Sequence, residues 1–354
     1  MAKKQRSRFH FIKKIIISIF LILTIGGSFT AYHFYKKIYR PNLKLAQKDV
    51  FFYIKTGSDI TDVSNSLYEK GYIIDRTSFE WVANQKKYHK NVKPGKYLLK
   101  NNMNNNELIN LLRSGEQVPV KLTFNNIRTP EQLAGKVSNQ IEADSLTIIK
   151  MLKDSKFVSS YGFNQYTIMT MFIPNTYEVY WNLSAEDFFK RMAHEYKAFW
   201  TDERKQKAQN IGLMQSQVSI LASIVQAEQS VHHDEKPIIA GLYINRLKKR
   251  MKLESDPTLV YALGDFEIKR VLNIHKEVDS PFNTYKHIGL PPGPINLPEI
   301  SSIDAVLNYQ PNNYIFMCAK DDFSGKHNFA VNYSQHIRNA EKYRAALNKR
   351  RIMR

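Results

Sequence analysis

The stretch "LASIVQAEQS", residues 221–230, puts a carboxylate where a carboxylate is expensive. Ile220, Ile224, Ala227 and Val231 recur at the spacing of one helical face, and Glu228 falls inside that stripe. Burial disfavours the anion and raises a carboxyl pKa, so an acid in such a place stays protonated near neutral pH and can donate its proton. Cleavage of a glycosidic bond needs such a group. The same position also suits a structural carboxylate paired with a nearby cation such as Arg246, and the helix pattern leaves both readings open.

Three other constellations carry polar chemistry. "LESDPTLVYALG" holds Glu254 and Asp256. In "SPFNTYKHIGLPPGPINLPEI", paired prolines between Gly289 and Gly293 predict a rigid turn that presents backbone groups to a ligand, with Asn283, Thr284 and Tyr285 as polar donors just before it. "GKHNFAVNYSQHIRNAEKY" sets His327, Asn328 and Asn332 beside a glycine loop, where polar surface ahead of a terminal helix is the plain alternative. Metal binding fits poorly: His232 and His233 diverge on a helix, no H-E-x-x-H occurs and the other histidines are scattered. Without a G-x-S-x-G elbow or a G-x-x-x-x-G-K-[ST] loop, neither a serine nucleophile nor a phosphate-bound cofactor is expected. No RNP-type aromatic strand accompanies the basic charge, so nucleic acid is not the expected partner.

The elements that must position these residues begin at a membrane. Residues 15–35, "IIISIFLILTIGGSFTAYHFY", carry no Asp, Glu, Lys or Arg and match the length needed to cross a hydrocarbon core of roughly 30 Å. The run ends in aromatic residues followed by Lys36 and Lys37, not in a small-residue cleavage site, which predicts an uncleaved anchor. Lys3, Lys4, Arg6, Arg8, Lys13 and Lys14 precede it without an acid, which predicts a cytoplasmic N-terminus and an exported remainder.

With 354 residues, 43% of them hydrophobic, the chain is long enough for two or three modest domains. A net charge of +20 suggests attraction to a polyanion such as a membrane surface, an acidic wall polymer or nucleic acid. The single cysteine, Cys318, excludes an internal disulfide, and "YIFMCAK" around it reads as a buried strand.

From residue 51 the pattern gives a strand "FFYI", two helices and a strand "GKYLL", a β-α-α-β unit. An Asn-rich cap leads into a short helix ending at Gly115, then a strand "VPVKLTF". Thr129, Pro130 and Gln132 next predict a capped helix start with Leu133, Val137 and Ile141 buried. Residues 145–200 read as mostly helical with a loop at "FIPNTYEVYWN" before Ser184 caps a further helix. The rest, 215–350, carries the helix with Glu228, a second helix from Pro237 through "IIAGLYINRLKKRM", and loop-rich segments.

Taken in order behind one membrane helix, "LASIVQAEQS", "INRLKKRMKLESDPTLVYALG", "FNTYKHIGLPPGPI" and "KHNFAVNYSQH" resemble the endolytic murein transglycosylases, the MltG or YceG-like family. The resemblance implies an α+β fold with a single N-terminal transmembrane helix, a small LysM-like β-α-α-β subdomain and a mixed α+β catalytic domain. Its expected divisions are a cytoplasmic basic tail at 1–14, the membrane helix at 15–35, a linker at 36–48, the LysM-like subdomain at 49–115, a connecting strand and helical region at 116–214, and a catalytic core at 215–350.

The resemblance also implies non-hydrolytic cleavage within peptidoglycan strands between N-acetylmuramic acid and N-acetylglucosamine. The ends left are 1,6-anhydro-muramoyl, nascent strand length is limited, and no cofactor is used. Expected partners are glycan strands, the cytoplasmic membrane and peptidoglycan synthases such as penicillin-binding proteins. Where the family's helix typically reads I-V-E-K-E, this chain has Gln226 and Glu228, so the catalytic role carries over to Glu228 alone. Asn245, Arg246, Asp256, Thr258, Asn283, Tyr285, His327 and Asn328 match family motifs and are expected to shape the cleft and hold sugar. A lysozyme-like hydrolase would need a second carboxylate, and a non-catalytic wall anchor would not need Glu228 at all.

Overall fold

The computed structural model describes residues 2–268 and 270–350, with side chains from residue 11 onward. The basic side chains of Lys3, Lys4, Arg6 and Arg8 lie outside the described residues. The chain forms two compact units, one of residues 1–120 with 179–182, the other of residues 121–178 with 183–354.

The first unit opens with α1 (Ala2–Tyr39), whose stretch Phe11–Tyr39 is long and apolar enough to cross a membrane. That stretch overruns the expected 15–35 at both ends. β1 (Asp49–Ile54), α2 (Ile60–Glu69), α3 (Arg76–Gln85) and β2 (Gly95–Lys100) follow, with β1 and β2 antiparallel from Asp49 opposite Lys100 to Ile54 opposite Gly95. Phe52, Val63, Leu67, Phe79, Tyr97 and Leu99 fill the core that this β-α-α-β order encloses. α4 (Asn105–Ser114) starts on a capping box between Asn104 and Glu107 and stops on Gly115 in the left-handed region, as the Asn run and glycine predict.

Residues 36–48, expected as a linker, are packed. α1 continues to Tyr39, Phe34 stacks on Trp81 with ring centroids 5.1 Å apart, and Asn105 Nδ2 donates to Lys37 O at 2.9 Å. Asn42 donates to Asn105 Oδ1, and isolated bridges pair Pro41 with Asn104 and Leu43 with Ile73. The apolar side chains of Leu43 and Leu45, both buried, draw this segment onto the unit.

The second unit is mostly helical. β3 (Val120–Phe124) enters it, followed by α5 (Pro130–Ser138), α6 (Ser145–Lys153) and α7 (Ser155–Ser160). Thr129 Oγ1 caps α5 by accepting from Gln132 N, but the Gln132 side chain accepts from Arg128 N, one residue before the expected partner. β4 (Asn175–Val179) pairs with β3 and occupies the stretch expected to be a loop. Pro174 stands just before the strand, where its missing N–H removes no ladder bond, while Tyr177 and Val179 alternate inward.

α8 (Ala185–Phe199), capped by Ser184, and α9 (Asp202–Ile211) lead to α10 (Gln215–Glu228), α11 (Lys236–Lys248), α12 (Asp256–Leu263) and α13 (Ile300–Leu307). A hairpin of β5 (Phe316–Ala319) and β6 (His327–Ala330) precedes α14 (Tyr333–Lys349). Cys318 lies on β5 opposite Asn328 and is half-buried, because a two-stranded hairpin covers only part of each side chain.

α10 is the axis of this core. Every residue from Val218 to Val225 is buried, so the helix is enclosed all round and is not amphipathic. Leu221, Ile224 and Val225 pack with Ile239 and Tyr243 of α11 and with Ile303 and Val306 of α13. The expected stripe ends early: α10 stops at Glu228, Ala227 is exposed, and Val231, 73% exposed, lies beyond the helix.

Candidate active site

Glu228 is the last residue of α10, where a buried apolar helix emerges. The negative end of the helix dipole meets its carboxyl there and adds to the cost of ionising it. Tyr243 Oη of α11 donates to Glu228 Oε1 at 2.7 Å, and Ser255 Oγ donates to the same oxygen at 2.5 Å. Both bonds land on Oε1, so among the described residues Oε2 has no protein hydrogen-bond partner and is the oxygen available to carry a proton. Burial pushes the carboxyl above its ordinary value of 4.5, the donated bonds from Ser255 and Tyr243 pull partly back, and the charge of Asp256 pushes up again. Arg246, the cation that would have made Glu228 a plain ion pair, bonds elsewhere.

Ser255 is aimed by a strained turn. Glu254 has a φ of 52°, in the left-handed region, and its N–H donates to Thr284 O, while Ser255 N donates to Thr284 Oγ1. Thr258 Oγ1 donates to Ser255 O and shares a 2.8 Å bond with Thr284 Oγ1, which closes a buried hydroxyl cluster under the acid. Asp256, the first residue of α12, stays exposed and accepts from Tyr285 Oη at 2.6 Å. Burial and that bond push the Tyr285 phenol far up, so it remains a donor.

The turn after α10 is fixed by Gln229. Its Oε1 accepts from Val231 N and His232 N, and its Nε2 donates to Glu235 Oε2 and Gly325 O. Glu235, only 5% exposed, also accepts from His327 N and from His327 Nδ1, each at 3.0 Å. That contact puts the neutral imidazole's proton on Nδ1 and leaves Nε2 without a protein partner among the described residues. A positive charge on this ring would lower the Glu228 carboxyl.

The expected site residues therefore divide. Glu228, Asp256, Tyr285 and His327 gather around one carboxyl. Arg246, 5% exposed, donates to Ile315 O, Lys252 O and Leu253 O and pairs with Glu254, and Asn245 donates to Asn312 O and Tyr314 O. Their side-chain N–H groups bond within the protein, and neither residue is among those lining the cleft. Asn283 is likewise buried, donating to Lys276 O and Val278 O, and Thr258 is sealed in the hydroxyl cluster. Asn328 reaches only Asp321, at 3.5 Å. The proline turn is buried wall, not a presenting loop: Ile295 N donates to Ser223 Oγ, and a Cβ on Gly293 would lie 2.4 Å from Tyr166 O. Gln226 Oε1 accepts from Glu299 N and Ser302 Oγ at the start of α13, where its helix-capping role needs no charge.

Beside the acid lies a cleft of about 1140 Å³ whose walls include Gln226, Ala227, Ser230, Asp256, Tyr261 and Asn296. Glu228 is not itself among the lining residues, though its neighbour Ala227 is. Ser255, Tyr243, Gln229 and Glu235 are the residues sequence reasoning missed. Ser255 stood next to Asp256 in a quoted motif, but Tyr243 reads only as helix core. Among the described residues, no group of three or more His, Cys, Asp or Glu is placed to hold a metal.

The chain is 27% identical over 344 residues to the endolytic murein transglycosylase of Bacillus subtilis, covering 93% of each chain. It is also 27% identical over 372 residues to the protein of that name in Streptococcus pneumoniae, with 95% of this chain covered and 66% of the relative. A crystal structure of a YceG-like protein from Listeria monocytogenes superposes with a TM-score of 0.56 at 27% identity, covering 82% of this chain and 98% of that one. The profile of the YceG-like family matches residues 52–342, and the chain belongs to that family.

Proposed function

We propose that this protein is a membrane-anchored endolytic murein transglycosylase whose acid is Glu228. Relatives along almost the whole chain carry that name. The single observation that carries the reading is the asymmetry of the Glu228 carboxyl, with Oε1 held by two hydroxyls and Oε2 free beside a cleft. Oε2–H protonates the glycosidic oxygen between N-acetylmuramic acid and N-acetylglucosamine as the C1–O bond breaks. The resulting carboxylate then takes the proton of the muramoyl C6 hydroxyl, whose oxygen bonds to C1. No water is consumed, and the product ends in a 1,6-anhydro ring.

In this reading α1 anchors the chain in the cytoplasmic membrane with its N-terminus inside, and residues 49–115 form a LysM-like unit that grips glycan. One observation favours a second reading. Asp256 is an exposed carboxylate, oriented by Tyr285, whose charge reaches Glu228, and a paired acid and carboxylate is what a hydrolase uses to activate water. Mass spectrometry of glycan strands treated with the full chain in detergent, beside Glu228→Gln, separates the two. Anhydro ends made by the parent and absent with the variant support the transglycosylase; ends heavier by one water assign hydrolysis. A folded Glu228→Gln protein that still cuts removes both.

A further inference from the structure

The cleft beside Glu228 has a feature that the chemistry above does not use. Arg128, Arg270 and Arg344 all line it. They come from three separate places: the turn before α5, the loop after α12, and α14. Among the described residues, the cations in its lining are all arginines. Asp256 is the only carboxylate in the lining among the described residues, and its Oδ1 is engaged by Tyr285. None of the three arginines forms an ion pair among the described residues, while Arg76, Arg191, Arg204 and Arg246 all do. The Arg128 guanidinium lies over the Phe266 ring at 4.7 Å, which holds its plane while leaving its edge free to donate. Arg344 Nε bonds only to Ala340 O of its own helix.

Three unpaired guanidinium groups in one concave space are a site for carboxylates. The fork of each matches the two oxygens of a carboxylate, and a cleft concentrates the field that a flat surface would lose to solvent. A neutral polysaccharide gives such a wall nothing to bind. The murein strand proposed above does: each muramoyl residue carries a lactyl ether at C3, whose carboxyl is either free or extended by a peptide with carboxylates of its own.

We propose that Arg128, Arg270 and Arg344 form a carboxylate-reading wall that selects muramoyl residues by the acid group on their C3 side arm. This rests on the reading of the chain as a murein-cleaving enzyme and names the part of the substrate that the cleft recognises. The wall sets substrate selection and leaves bond cleavage to Glu228.

The test uses the full chain in detergent and the triple variant R128Q/R270Q/R344Q, with circular dichroism to establish that both are folded. Three strand preparations are compared: peptide-bearing, peptide-stripped with free lactyl carboxyls, and peptide-stripped with those carboxyls converted to amides. The parent is expected to show a lower KM on acidic than on neutral strands. In the triple variant KM on acidic strands rises about tenfold or more, from the loss of charged hydrogen bonds, and the acidic-to-neutral ratio of KM moves toward one. Preference for the first preparation alone assigns peptide carboxylates as the ligand, preference for the second alone assigns the free lactyl group, and equal preference for both means that either carboxylate serves.

A parent KM that is the same on all three, or unmoved by the triple substitution, overturns the proposal. Binding of the same strands to Glu228→Gln, with and without the triple substitution, separates this failure from that of the catalytic reading. Arginine-dependent binding of acidic strands by a protein whose parent cuts nothing would keep the wall and remove the transglycosylase. Binding indifferent to the arginines by a parent that does cut would do the reverse.

Discussion

Tyr243 Oη lies 2.7 Å from Glu228 Oε1, so a helix-core phenol donates to the one carboxyl that ends α10. Hydrogen bonds to a carboxylate favour the charged form, and removing one raises its pKa further. Tyr243→Phe and Ser255→Ala should each move the alkaline limb of the kcat–pH profile to higher pH, because the acid works protonated. Each also releases Oε1, and kcat at the optimum should fall about tenfold or more. Initial rates across pH on purified strands give both readouts. An alkaline limb that moves down or stays put would mean that these hydroxyls do not act on the acid.

Glu228→Gln should make the protein more stable at neutral pH while removing about 10² to 10⁴ of its rate. The folded carboxyl is raised above 4.5, so between that value and its folded-state value the folded chain binds more protons than the unfolded one. Stability therefore falls as pH rises through this window, and the amide, with no charge to bury, escapes that loss. Thermal melts at pH 4 and pH 7 check it, the variant gaining on the parent at the higher pH.

Glu235 has the opposite sign. Burial alone would raise it, but bonds from His327 N–H, the His327 ring and Gln229 Nε2 hold it below the ordinary 4.5. Its contribution to stability is present above 4.5 and is lost as pH falls through its lower folded-state value. Glu235→Gln keeps one acceptor oxygen where three donors converge, which costs about 1–3 kcal/mol. Denaturant unfolding at neutral pH should show that loss, and the gap between parent and variant should narrow in acid.

Arg246→Ala should destabilise the second unit by about 1–3 kcal/mol, since it leaves three backbone carbonyls, the buried Leu253 O among them, without their donor. Arg246→Lys should not restore stability, because one ammonium lacks the fork that reaches Ile315 O and Leu253 O together. Urea midpoints of the two variants make the comparison; a lysine variant as stable as the parent would contradict it.

Gly293→Ala and Gly135→Ala should differ in sign. A methyl at Gly293 meets the Tyr166 carbonyl and forces the cleft wall to shift at a cost of about 1–3 kcal/mol. At Gly135, inside α5 with nothing within 4 Å, the same methyl adds helix propensity and should stabilise by up to about 1 kcal/mol. Melting temperatures of the pair decide it.

Glu228 was legible as an acid among apolar neighbours, but not for the reason its spacing offered. A stripe means something only on a helix with two faces, and α10 is buried all round until its last turn. What the sequence hides is approach in three dimensions: nothing in "GLYINRL" tells Tyr243 from any core aromatic, and Ser255 becomes a donor to Glu228 only because Glu254 turns through a left-handed conformation. Asn245 and Arg246 show the converse. Residue type announces hydrogen-bonding capacity, and only the fold shows that the carbonyls of residues 312–315 have already claimed it. The β-α-α-β order was readable because its signals are local, in alternation and capping. β4 was not, because Pro174 looks like a breaker until the strand is seen to begin one residue later.

The junction at Phe34, Lys37 and Asn105 makes the end of α1 a fixed shaft and not a leash. With the helix in a bilayer, any turn about its axis is a turn of the whole first unit, and a tilt of the helix carries that unit's surface through the same angle. In the membrane-anchored reading, lipid thickness and lateral pressure would then become mechanical inputs to that unit, transmitted in part through a stacked ring and one amide.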